Sequence, residues 1–268
     1  MRARDVLAAT AISATALLVA VGAIVGLVLL VPGEDRPVFT GEPRFVVTWA
    51  EESDQAVDDE QRAMRRDGAV AGAVADLNRV VPLPQHVEIR VRSCDYGTSF
   101  DTWDERIDLC VDESGTARDE LAEAGDPDPE AAVLRIWRET VMHEAAHALV
   151  QLHDLEFEGS EEDLADSFAA WMLLRDGDVE DVDALVAAAL QYDVWAELYE
   201  SDTSDGHSTD AARAANYACW IVGAHPERAG EHAPVESLRS SRVAGCAAEV
   251  EQLEQDWESR VARMAASD

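Results

Sequence analysis

An α+β fold, with a small sheet early in the folded region and helices through its second half, is predicted by three patterns in the sequence. Val87, Ile89 and Val91 alternate with Glu88, Arg90 and Arg92, the period-2 signature of a half-buried strand. Asp128-Pro129 opens a helical pattern that runs to about Leu152, with Asp as N-cap and Pro in the first turn, and further helical stretches follow it. A length of 268 residues with 47% hydrophobic and 28% charged side chains fits one real core and argues against a largely disordered chain.

Taken in order, residues 1–5 form a short tail carrying Arg2 and Arg4. Residues 6–31 are uncharged and apolar, with Thr10, Ser13 and Thr15 as mild interruptions. A bilayer-spanning helix needs about 20 such residues. Arginines before the stretch and Glu34 and Asp35 after it put the N-terminus in the cytoplasm and the rest outside, as a single-pass cell-membrane protein. The competing reading is a signal peptide cleaved after Val21-Gly22-Ala23, although apolar residues continue past that point. Residues 32–44 read as a linker rich in Pro, Gly and charge, and residues 45–268 as one extracytoplasmic domain.

Within that domain, residues 45–49 suggest a strand and residues 58–80 a helix, before the alternating strand at 87–92 and a further strand at 106–111. Helices are expected at 129–152, 161–175, 179–200, 208–223 and 236–265. Ser160 followed by Asp163 resembles a capping box for the second of these. Cys94, Cys110, Cys219 and Cys246 all lie where an oxidising compartment permits disulfides. Sequential pairing closes the shorter loops; four buried thiols are the alternative.

Charge excludes one class of partner. With 55 acidic against 21 basic residues the formal net charge is −34, which repels phosphate backbones, so no nucleic acid is expected.

Residues 143–147 read HEAAH and fall well inside the predicted helix that opens at Pro129. Positions i and i+4 of a helix share a face, so His143 and His147 can offer imidazole nitrogens to one ion. Glu144 lies about 100° around the helix from His143, where its carboxylate can act as a base for bound water. A chain of this composition yields roughly 0.02 such matches by chance. A catalytic zinc site needs a third protein ligand and an open position. Glu162, on the first turn of the next helix, is the candidate; Glu161, Asp163 and His153 are the alternatives. Asp166, one turn beyond Glu162, is placed to accept the second N–H of a ligating imidazole. His207, in the turn-like run before a helix, is a candidate oxyanion donor or else an exposed loop residue.

HExxH followed by Glu162 and, four residues on, Asp166 resembles the gluzincin clan, whose third ligand is a Glu with an Asp four residues later. The domain more closely resembles a family of bacterial zinc metallopeptidases over roughly residues 45–265. The marks are the Cys94 to Cys110 segment, HEAAHALV, EEDLADSFA, and Asp205-Gly206-His207-Ser208 leading to Arg213, Asn216 and Cys219. That resemblance implies zinc, a zincin-like fold with a small sheet over the HExxH helix, and hydrolysis of peptide bonds. A non-catalytic zincin-like binding module at the cell surface, or zinc hydrolysis of a non-peptide substrate, are the other readings.

Overall fold

The sheet is built from four short strands: β1 (Phe45–Trp49), β2 (Val87–Arg92), β3 (Ser99–Asp101) and β4 (Arg106–Cys110). Their order is β1-β2-β4-β3, with β1, β2 and β4 parallel and β3 an antiparallel edge. The helices are α1 (Gln55–Asp67), α2 (Ala69–Val80), α3 (Glu113–Glu123), α4 (Pro129–His153), α5 (Glu161–Leu174), α6 (Val179–Leu198), α7 (Asp210–Ala224) and α8 (Ser240–Ser267), with a 3-10 turn at Pro226–Arg228. This computed structural model describes residues 37–200, 208–228, 238 and 240–267. Residues 37–41 form no helix or strand, and the described residues from Glu42 onward make one compact unit. The apolar stretch at 6–31 lies outside the described residues, among which no helix is long and apolar enough to cross a membrane.

Local chemistry explains the elements. In β2 the alternation holds, with Val87, Ile89 and Val91 sealed in the core and the intervening residues half-buried. β4 is buried on both faces: Ile107 and Leu109 face the core, while Arg106 and Asp108 pair at 3.1 Å on the other side. Tyr96 covers that pair by donating its hydroxyl to Asp108 at 2.7 Å. One apolar cluster joins Phe45, Ile89, Ile107 and Leu109 of the sheet to Val141, Met142, Ala145 and Leu149 of α4 and to Phe168 and Trp171 of α5. Each large side chain so buried contributes about 1.5–3 kcal/mol. Because α4 is enclosed by its neighbours, apolar residues surround its axis instead of forming one stripe.

Two expectations need correction. The helix expected over 58–80 is two helices broken at Gly68, which sits at φ +86° and donates its N–H to the Met64 carbonyl at 3.0 Å. Only glycine takes that left-handed conformation cheaply. The Ala and Val spacing continues across the break and so conceals it. Strand β3 and helix α3 were not anticipated, the first being three residues long and the second carrying Gly115 and Thr116 in a polar run.

The sequential disulfides are present, Cys94 to Cys110 and Cys219 to Cys246, with Cα atoms 5.3 and 5.1 Å apart. The second ties α7 to α8 where the helices approach most closely. A Cβ placed on Gly223 would lie 2.4 Å from the Cys246 carbonyl oxygen and 2.7 Å from a Val250 methyl. Gly223→Ala is therefore expected to lower stability by about 1–3 kcal/mol through overpacking. Urea denaturation followed by circular dichroism checks this; an unchanged midpoint would show that α8 can move aside freely.

Candidate metal centre

Two helix starts set the geometry. Asp128 caps α4 by accepting from the Ala131 N–H at 3.2 Å, and Pro129 fills the first turn, so the helix runs unbroken through His143 and His147. It ends at Asp154 with φ +48°, and the chain turns back through Gly159 at φ +88°. Ser160 then caps α5 by accepting from the Glu162 N–H at 3.1 Å. Glu161 and Glu162 thereby face the histidines from the first turn of α5, where acids also favour the helix dipole.

Three donor atoms meet at one point. His143 Nε2 lies 3.2 Å from Glu162 Oε2, His147 Nε2 lies 3.3 Å from the same oxygen, and the two Nε2 atoms are 3.3 Å apart. Bonds of about 2.0–2.1 Å to a tetrahedral ion place its ligands ~3.3 Å from one another. The triangle thus fits a small divalent ion, and two imidazole nitrogens with a carboxylate oxygen are donors of the right kind. Without a cation, two nitrogen lone pairs and an anionic oxygen would repel.

The other ring nitrogens are also held. His143 Nδ1 donates to Asp166 Oδ1 at 2.9 Å, and His147 Nδ1 to Glu161 Oε1 at 2.8 Å. A carboxylate at Nδ1 fixes the proton there and leaves Nε2 as an acceptor. Asp166 in turn receives two bonds from Arg213, Nε to Oδ2 at 2.8 Å and Nη2 to Oδ1 at 2.6 Å. The Tyr217 hydroxyl bridges Glu139 at 2.5 Å and Asp166 at 3.1 Å, and the Arg213 guanidinium lies 4.0 Å over the Tyr192 ring. A second group, Glu139, His143 and Asp166, is close enough to share an ion. Arg213 and Tyr217 already occupy its carboxylates, however, and a guanidinium there repels a second cation.

Electrostatics agree with the geometry. Burial works against a charged imidazole, yet Asp166 and Glu162 outweigh it and push His143 up to about 10. Burial likewise opposes protonation of His147, and Glu162 overcomes it to raise that ring also. Asp166 is held at about 2, because Arg213 and His143 outweigh the effect of its burial. Burial raises Glu144 and Glu139 above the usual carboxylate range. A pocket that draws protons this strongly onto imidazoles is one that favours cations.

Beside the triangle lies a cleft of about 580 Å³, with His143, Glu144 and Tyr192 among its walls. The Phe100 backbone N–H of β3 lies near enough to the Glu144 carboxylate to favour its charged form, against the larger effect of burial. Glu144 joins neither group of converging donors, nor does Asp163. His153 instead lies 3.1 Å from the Pro82 carbonyl oxygen through Nε2. His207 lies outside the described residues. Sequence reading missed Glu139 and Tyr217, and it offered Glu161 as a ligand where the structure sets it behind His147. Glu139 was legible in principle, one helical turn before His143; Tyr217 reaches the site only through the packing of α7.

An α+β chain thus gathers two imidazoles and a carboxylate that could hold a metal ion on one enclosed helix pair. A family model described as "Putative metallopeptidase" matches residues 49–260, and the chain belongs to that family. No curated protein and no solved structure matches it.

Two of the shifted groups, His143 and Asp166, give the metal-free protein a defined pH response. His143 rises from an ordinary 6.5 to about 10, so its stabilisation is full below 6.5 and is lost as pH rises through about 10. Asp166 falls from 3.8 to about 2, so its contribution is full above 3.8 and is lost as pH falls through about 2. Urea midpoints in chelator are expected to fall between pH 6.5 and 10, and His143→Gln should shrink that alkaline loss, with the raised His147 supplying the remainder. A midpoint that holds or rises over this interval would contradict the assignment.

Proposed function

We propose that this chain is a zinc-dependent peptidase with a zincin-like fold, in which His143, His147 and Glu162 hold the metal. The observation that carries the reading is the triangle of Nε2, Nε2 and Oε2 atoms with sides of 3.2–3.3 Å, opening on the cleft that Glu144 lines. The family membership supports a peptide substrate over other carbonyl compounds. Zinc bound there would supply a Lewis acid that acidifies water and polarises the scissile carbonyl.

The chain's own groups do the rest. Glu144 is the general base: its carboxylate takes a proton from the attacking water and returns it to the leaving amine nitrogen. The raised proton affinity that burial gives it suits both halves of that exchange. Asp166 and Glu161 keep the two imidazoles in the tautomer that presents Nε2, and Arg213 keeps Asp166 charged. A centre that served only to hold the fold together would have no use for Glu144 on the cleft wall, which favours catalysis over a non-catalytic surface module.

The same reading extends to location. The apolar residues 6–31 and two disulfides support a domain tethered outside the cytoplasm, where thiols oxidise.

Metal analysis and a peptide-library assay on the purified chain test the proposal. Wild type should carry about one zinc per chain and lose hydrolysis to a chelator. Glu144→Gln is expected to keep its zinc and lose ~10²–10⁴-fold in kcat. Glu162→Ala should lose the metal, and Asp166→Asn should weaken metal affinity ~10–100-fold while leaving all three donors in place. Full zinc occupancy without cleavage of any peptide would return the choice to the non-catalytic module.

A further inference from the structure

The cleft continues past Glu144 into a wall formed by α3 and α6, and that wall has a chemistry of its own. On α6, Gln191 and Trp195 stand one turn apart on the same face, and Tyr199 follows one turn later at the helix end. Trp195 donates its indole N–H to Glu120 Oε2 at 2.8 Å, and the Tyr199 hydroxyl donates to Glu120 Oε1. Glu120 is thus a carboxylate on the cleft wall, aimed by two neutral aromatic donors. No arginine among the described residues pairs with it. Arg118, two positions earlier, turns instead to Glu60 and Glu130.

Gln191 offers the cleft a second polar group. It is only 8% exposed and lines the cleft, yet its side-chain amide has no hydrogen-bond partner among the described residues. Its polar atoms keep access to the cleft, so a ligand entering there can take the place of water at the amide. A carboxylate, an amide oxygen and the Trp195 ring together suit a flat cation that can stack and donate several hydrogen bonds. Arg213 on the cleft lining is already paired with both oxygens of Asp166, and His143 with Asp166 and Glu162, so neither opposes it.

We propose that Glu120, Gln191 and Trp195 form a specificity subsite for a basic side chain of the substrate next to the scissile bond, with arginine favoured over lysine. The inference rests on the peptidase reading for its catalytic arm only, since the subsite would bind a guanidinium whether or not a bond is cut.

The test uses the zinc-loaded chain and a series of quenched fluorescent peptides that differ at one position, carrying Arg, Lys, Leu or Glu. Arginine is expected to raise kcat/KM ~10-fold or more over leucine, as a charged hydrogen bond allows. Glu120→Gln and Gln191→Leu should each shrink that ratio, Glu120→Arg should turn it toward glutamate, and added salt should erode the wild-type advantage. N-acetylarginine amide, titrated into the metal-free chain and followed by tryptophan fluorescence, should bind to wild type and not to Glu120→Gln, with circular dichroism confirming that each variant is folded. Cleavage indifferent to the varied side chain, or an arginine advantage that survives both Glu120→Gln and Gln191→Leu, overturns the subsite and leaves the peptidase standing. Binding of the amide through Glu120 without cleavage of any peptide does the reverse.

Discussion

The carboxylate of Asp166 is the joint on which this structure turns. It is 2% exposed, and an ionised carboxylate at that depth is tolerable only with a matched cation and further hydrogen bonds. Arg213 supplies the cation with a two-point grip, and His143 and Tyr217 supply the rest. These four residues belong to α4, α5 and α7, so a single buried charge aligns three helices. The alignment is also what turns the His143 ring. Its Nε2 can point at His147 and Glu162 because Nδ1 is already committed on the opposite side.

That arrangement explains why α4 breaks the usual rule for an enclosed helix. Its core is apolar through Val141, Met142, Ala145, Ala146 and Leu149, yet Glu139, His143 and Glu144 are buried among them. Ordinary folding economy would exclude three titratable groups from such a place. Each has a specific partner instead: Tyr217 for Glu139, Asp166 for His143, and the nearby Phe100 amide for Glu144. Alanines at 145 and 146, both fully enclosed, let neighbouring elements come close enough to provide those partners. The polar strip is thus a local departure from good packing, confined to the cleft where chemistry would need it.

How much of this was legible follows from the range of the interactions involved. The HExxH spacing, the Asp128 cap and the Ser160 cap are local, and the sequence displays them directly. The pairing of His143 with Asp166 could be reasoned from helix phase, since both residues sit on helices whose starts are marked. Glu161 could not be separated from Glu162 in that way: they are neighbours on one turn, and only the packing angle of α5 sends one to Nε2 and the other to Nδ1. Arg213 and Tyr217 arrive from α7, 47 and 51 residues beyond Asp166, and no local pattern announces such a contact. Gly68 shows the opposite failure, a strong local signal hidden because the surrounding Ala and Val spacing runs on undisturbed.

Charge counting alone says little about the cleft, and the reason sharpens what Glu120 means. All 21 basic residues of the chain are arginines, against 55 acids, so many carboxylates lack an arginine of their own simply by number. On an exposed face such a carboxylate is solvated and needs no account. Arg106, Arg138 and Arg213 go to acids that are partly or wholly enclosed, where an unpaired charge is costly, while Arg62 and Arg79 pair at the surface. Glu120 borders a concave wall and receives two aromatic donors in place of an arginine. Neutral donors fix a carboxylate's direction without cancelling its charge, so its field remains available to whatever enters the cleft.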